Sequence, residues 1–248
     1  GGFAGSIFTG PKTIQPATEL KLDSGTLIFD TGGSWIHSSG SRGKGILTRS
    51  FFDVAGERFG YGICTFTFLD FELGKNLTVL VKGNNALQIV VDGNVSIATD
   101  LSLDGKSGSS GIFSGLPGPG GWSSGRGLRN TDGFSNFHPA LNGQGPGGGK
   151  GYEIGKSNGG GSYGGLGSGG LNGGLPGSIY GDNQITLLVG GSGGGHSFSG
   201  SGNSGGGGGA IGFDISGNFI LEENATISVR GGNGFVHNDA SGAAGSGG

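Results

Sequence analysis

Glycine is concentrated in one stretch of this chain: 41 of the 106 residues from 105 to 210 are glycine, against 16 in 1–104 and 9 in 211–248. A helical or ordinary α/β arrangement of that stretch is almost excluded. Each glycine costs about 1 kcal/mol relative to alanine inside a helix and supplies no side chain to bury. Collagen is excluded as well, because the 248 residues include only seven prolines and glycine does not recur every third residue throughout.

The glycine-poor part reads as strands. Apolar residues alternate at Leu77, Val79 and Val81, at Leu87, Ile89 and Val91, at Val95 and Ile97, and at Leu101 and Leu103. This is the period of strands with one buried face. Gly83-Asn84-Asn85, Gly93-Asn94 and Asp104-Gly105 separate these runs and supply the conformations that tight bends need. Upstream, Phe66 and Phe68 alternate while Phe71 and Leu73 have slipped phase by one, which predicts a bulge or corner near Leu69. Runs around Leu20 to Phe29 and from Ile46 to Val54 are strand-like but less regular.

An internal repeat carries the architecture. The segment IVVDGNVSI at 89–97, continuing to Leu101-Ser-Leu-Asp-Gly105, has a counterpart in FDISGNFIL at 213–221, continuing to Ile227-Ser-Val-Arg-Gly231. Gly93-Asn94 aligns on Gly217-Asn218, and the second copy carries two extra residues before its last strand. Both copies run into glycine-rich sequence. Repeated strand–turn–strand units that hide their apolar faces only by stacking on one another are what a β-solenoid requires. The second glycine-rich run stops where the chain stops, so the polypeptide reads as one window of a longer repetitive protein.

Residues 105–210 allow two readings, a flexible linker or a packed bundle. Spacing favours the bundle. Gly161, Gly164, Gly167, Gly170 and Gly173 recur every third residue, as do Gly105, Gly108 and Gly111, Gly115, Gly118 and Gly121, and Gly202, Gly205 and Gly208. Three residues per turn is the polyproline-II period, and glycine along one edge lets extended helices pack backbone to backbone. Tyr163, Leu166, Leu171, Leu175 and Trp122 lie between them. A strand is expected near 184–189. The expected fold is therefore all-β, a β-solenoid or β-helix-like stack of short strands with a large, partly polyproline-II or polyglycine-like insertion and almost no α-helix. Its parts are a strand block at 1–104, the insertion at 105–210 and a second strand repeat with further glycine-rich sequence at 211–248, all in one continuous structural unit.

The net charge of −3, with no basic run, gives no footprint for nucleic acid or an anionic membrane surface. No apolar stretch is long enough to form a membrane span, and GGFAGSIFTG at the start has neither the basic segment nor the apolar core of a signal peptide, so the chain reads as mature or excised. Cys64, the single cysteine, lies in a strand-like run and reads as a small buried hydrophobe. His37, His138, His196 and His237 lack ligand spacing and read as polar loop residues. Asp92, Asp100 and Asp104 are the weak calcium candidates; they fit neither an EF-hand nor a GGxGxDxxx repeat, and solvated turn aspartates are the plainer account. There is no GxxxxGK[ST] phosphate loop and no convincing catalytic carboxylate pair. Neither an enzyme nor a resident cofactor is expected. Three sequons, at Asn76, Asn94 and Asn224, sit at bends beside strands and point to a secreted route if they carry glycans.

The segments GGGGGAIGFDISGNFILEENATISVRGGNG and LQIVVDGNVSIATDLSLDGKSG resemble secreted and cell-surface glycine-rich β-solenoid proteins, over about half of the chain. The middle block also looks like the polyglycine-helix domains of some receptor ectodomains and phage adhesins, but lacks the cysteines of the receptor type. The resemblance implies an adhesive, wall-associated or matrix-associated extracellular protein. Two functions follow as expectations. The first is a structural module that self-assembles into a filament, sheath or matrix, its partner being further copies of itself, since open solenoid ends favour end-to-end association. The second is an adhesin that binds carbohydrate or another surface through its glycine-rich loops, with Trp122, Phe134, Phe137 and Tyr163 as stacking residues.

Overall fold

A computed structural model of the protein describes residues 18–109, 115–125, 141–152, 157–170, 174–181, 187–197, 203–237 and 240–248. The described residues form an all-β structure with no helix and a mixed sheet.

Strand β1 (Thr18–Asp30) is followed by the short strands β2 (Ser34–His37) and β3 (Arg42–Lys44), which turn back antiparallel beside it. Strand β4 (Ile46–Val54) then pairs antiparallel with the start of the long β5 (Glu57–Lys82). The two residues between them, Ala55 at φ 51° and Gly56 at φ 85°, both occupy the left-handed region that a tight two-residue hairpin demands.

The remaining main pairings are parallel. Strand β1 lies along β5; β5 lies along β6 (Ala86–Val91) and β7 (Val95–Ile97). The short β8 (Leu101–Ser102) completes that layer. Strands β9 (Ile211–Ile215), β10 (Phe219–Leu221) and β11 (Ile227–Ser228) then lie on β6, β7 and β8 respectively. Strands β12 (Val236–His237) and β13 (Ala240–Ser241) form a separate antiparallel pair.

The internal repeat is thus a stack of one copy on the other. Phe219 lies on Val95 and Ile227 on Leu101, offsets of 124 and 126 residues, and the difference is the two-residue insertion read from the alignment. The extra residues form a turn in which the Ala225 amide donates to the Glu222 carbonyl and Asn224 takes φ 70°. The phase slip near Leu69 is also present. Between Thr18↔Phe68 and Leu20↔Phe71 the register shifts by one, and the chain turns a corner while Phe66, Phe68, Phe71 and Leu73 all remain inside.

Apolar residues stand in columns across the layers. Phe66, Ile89 and Phe213 form one, and Leu73, Ile97 and Leu221 another. Within the core the Phe29 and Phe66 rings are 5.2 Å apart and those of Phe68 and Phe71 5.3 Å. Each fully buried side chain of this size contributes about 1.5–3 kcal/mol relative to exposure, so the columns hold the layers in register.

The glycine-rich tract is packed through its backbone. Successive amides of the buried run 190–196 donate in rotation: Gly190 to Gly120, Gly191 to Gly208, Gly193 to Gln144, Gly194 to Gly205, Gly195 to Gly159 and His196 to Leu141, at 2.8–3.2 Å. The Ser192 amide donates to the Ser246 hydroxyl at 2.8 Å. Residues 191 and 194, three apart, address the same neighbouring segment at 205–208, and residues 193 and 196 the segment at 141–144. Among the described third-position glycines, Gly105, Gly108, Gly115, Gly118, Gly121, Gly161, Gly167, Gly170, Gly205 and Gly208 each lie against another segment's backbone, where a Cβ would collide; Gly164 faces open space. Of the strand expected near 184–189, the described residues 187–189 belong to no strand; Leu188 instead packs with Ala86, Ala210 and Ile63 between sheet and bundle. The remaining residues, 184–186, lie outside the described residues.

Candidate functional site

Two surfaces of the fold invite function: the last strand layer and the glycine-rich bundle. Among the described residues, strands β9, β10 and β11 each pair on one side, with β6, β7 and β8. Phe219 and Leu221 continue the interior columns of Val95 and Ile97, yet they remain 43 % exposed, with Ile220 at 50 %. Val95 and Ile97 beneath them are completely buried. The same residue types at the same place in the repeat therefore differ in burial, and among the described residues no layer lies over β9, β10 and β11.

A polar ladder follows the corners of the stack. The Asn94 amide donates to Asp70 Oδ1 at 2.9 Å, and the Asn218 amide donates to Asn94 Oδ1 at 3.0 Å. One turn further on, Asp100 Oδ1 accepts the Thr226 amide at 2.9 Å and hydroxyl at 2.6 Å. Asp104 Oδ1 accepts the Ser228 hydroxyl at 2.5 Å and the Arg230 amide at 2.6 Å, and the Arg230 guanidinium lies 3.3 Å from Oδ2. Burial acts to raise the Asp104 carboxyl, but these bonds outweigh it and hold the group below its ordinary range. Asp70 is lowered chiefly by the Asn94 amide and then by Lys21.

These ladders give the calcium candidates a structural task. Asp100 and Asp104 fix the second repeat on the first, and Asp92 is exposed at the corner between β6 and β7. Among the described residues no three His, Cys, Asp or Glu side chains come together as a metal site. The repeat alignment paired the right positions, but nothing in the spacing identified their carboxylates as acceptors for the layer above.

The sequon asparagines differ in surroundings. Asn76 is exposed on β5, Asn224 is exposed at the turn before β11, and Asn94 is exposed with its carbonyl oxygen engaged by Asn218.

The stacking candidates are placed unexpectedly. Trp122 and Tyr163 are half-buried in a ring cluster that joins the β4–β5 hairpin to the bundle. Tyr180 lies 5.9 Å from Trp122 and 5.0 Å from Tyr163, and Phe52 lies 6.4 Å from Trp122. The Tyr180 hydroxyl donates to the Gly190 carbonyl at 2.5 Å and accepts from Ser192 at 3.1 Å; burial pushes the phenol far above its usual range. These rings pack on one another and stay partly exposed. Phe134 and Phe137 lie outside the described residues.

Cys64 is fully buried in the core, and desolvation pushes its thiol up to about 11. His196 is also buried, with Nδ1 2.5 Å from the Ser197 carbonyl oxygen and Nε2 3.1 Å from Asn203 Oδ1. It is a loop residue, and a buried one that packs the glycine-rich tract. His37 is likewise buried, between Ser39 and the Ser24 carbonyl. His138 lies outside the described residues, and His237 ends β12. A histidine in a Gly/Ser run has no periodicity around it to announce burial.

No helix among the described residues is long and apolar enough to cross a membrane. Comparison with protein-family models, with curated proteins and with solved structures gives no match.

Proposed function

We propose that the protein is a non-catalytic extracellular structural module that self-assembles into a filament, sheath or matrix. In this reading the parallel layers are coils of a β-solenoid, and the glycine-rich tract is an insertion of polyglycine-like extended helices braced against them. The observation that carries the reading is the unroofed fourth layer. Phe219, Ile220 and Leu221 are consecutive, apolar and half exposed on a strand whose outer edge has no partner among the described residues. Such an edge templates pairing with another chain unless charge, proline or a covering element blocks it.

Sedimentation velocity over a wide concentration range, with electron microscopy of the same samples, tests this. Mass should rise with concentration, and Leu221→Lys should suppress the rise without changing the strand signal in circular dichroism. A protein that stays monomeric throughout would overturn the reading.

A surface adhesin is the second reading. Leu116, Leu166, Leu175 and Ile179 are strongly exposed on the glycine-rich tract, as a contact face for carbohydrate or another surface would be. Binding to a glycan array by a strictly monomeric protein would favour it.

A further inference from the structure

Resting on the self-assembly reading, we propose that the elementary contact is a closed pair of copies in which β10 pairs antiparallel with β10 of the second copy about a two-fold axis at Ile220. The backbone fixes the register. The Val95 amide donates to the Asn218 carbonyl and the Glu222 amide donates to the Ile97 carbonyl, each at 2.8 Å, so the even-numbered residues of this stretch point their polar groups down onto β7. Amide and carbonyl directions alternate along a strand, so Phe219 and Leu221 present theirs outward. An antiparallel partner engages both groups of one residue with both groups of the residue opposite. Centring the pair on Ile220 sets Phe219 against Leu221 of the second copy, twice, and satisfies all four outward groups on each chain.

The side chains agree with that register. The Phe219 and Leu221 columns of the two copies meet and close each other's core, and Asn218 falls opposite Glu222 of the second copy, an amide donor facing a carboxylate. From Ile211 to Leu221 the only charged residue is Asp214, so the edge lacks the charges that usually keep strand edges apart. The occupant is a like end and not the opposite one, because the two ends differ: at the first layer β2 already pairs with Leu27–Asp30 of β1, and β3 pairs with β2. An isologous contact of this kind closes on itself, so it builds the two-copy unit, and a filament, sheath or matrix is made when a second, different face joins such units.

Ile220→Cys in the full chain tests the register. In an antiparallel pair that is not hydrogen-bonded the Cα atoms stand about 4.5 Å apart, inside the reach of a disulfide. Mild oxidation should give one covalent species of twice the 24.3 kDa chain, linked through position 220. Cys64, buried and with its thiol raised, stays out of the reaction. If Ile220→Cys folds poorly, Leu221→Lys carries the test: the associated species should fall to half its mass with the strand signal unchanged. Association that persists without the 220–220 link would overturn the two-fold register and leave self-assembly standing. A wild-type protein that never associates would sink both.

Discussion

In the strand layers Phe66, Ile89 and Phe213 stand one above another, and the interlayer register is held by side chains that fill the interior. In the glycine-rich tract Gly118, Gly191 and Gly207 lie where a Cβ would collide with Leu103, Ser246 and Gly191 in turn, and register is held by bare backbone. Both regions stack segments whose hydrogen bonds run to neighbours, and both bury most of what they stack. They differ in what a substitution removes or adds. In one region truncation is the damaging change, and in the other it is addition.

Truncation in the layers gives the largest expected effect. Phe71 is completely buried between Phe29 and Phe68, with ring centroids 6.3 and 5.3 Å away. Phe71→Ala should cost about 3–5 kcal/mol, measured by chemical denaturation. A loss below about 1 kcal/mol would mean that these columns do not hold the layers. The matching change in the bundle is Gly207→Ala, one methyl group added against the Gly191 carbonyl. It should destabilise by about 1–3 kcal/mol through overpacking. Gly164→Ala, with open space around the same atom, should leave stability unchanged or slightly raised. Equal tolerance at Gly207 and Gly164 would break the comparison, because glycine would then be serving flexibility and not packing.

The two regions were legible in the sequence to different degrees, for the same physical reason. Leu87, Ile89 and Val91 announce an inward face by alternation alone, and Ile46 to Val54 coincides with the whole of β4. The repeat even gave the two-residue insertion that Asn224 occupies. In the bundle the period of three pointed to glycines that face a neighbour, Gly164 excepted, but it missed others such as Gly191 and Gly207 and gave no neighbour for any of them. Glycine carries no side chain to specify a partner, so the contact of Gly191 with residues near 208 and 246 depends on the whole arrangement. The aromatic bracket was missed similarly. Trp122 and Tyr163 are isolated large rings in a polar tract, and only Phe52 and Tyr180, distant in sequence, turn them inward.

The smallest expected effect lies where the two regions join. Asp104 closes the first strand repeat just before the bundle begins, and it ties Ser228 and Arg230 of the second repeat in place. Its carboxyl titrates below the ordinary value of 3.8, because the bonds to Ser228 and Arg230 outweigh the burial that acts to raise it. A group lowered on folding contributes stability that is fully present above its unfolded value. That stability is lost as pH falls through the lower, folded value. Asp104→Asn, isosteric but neutral, should therefore cost about 1 kcal/mol at pH 7, the modest figure reflecting the solvent exposure of Arg230. It should also flatten the loss of stability between pH 4 and the acid limit, measured by denaturant titrations at a series of pH values. Part of the acid sensitivity should remain, because the Asp70 carboxyl is lowered by the Asn94 amide on the preceding corner. An unchanged acid limb in the variant would show that the ladder at Asp104 does not hold the repeats together, and that the columns of apolar side chains carry the join unaided.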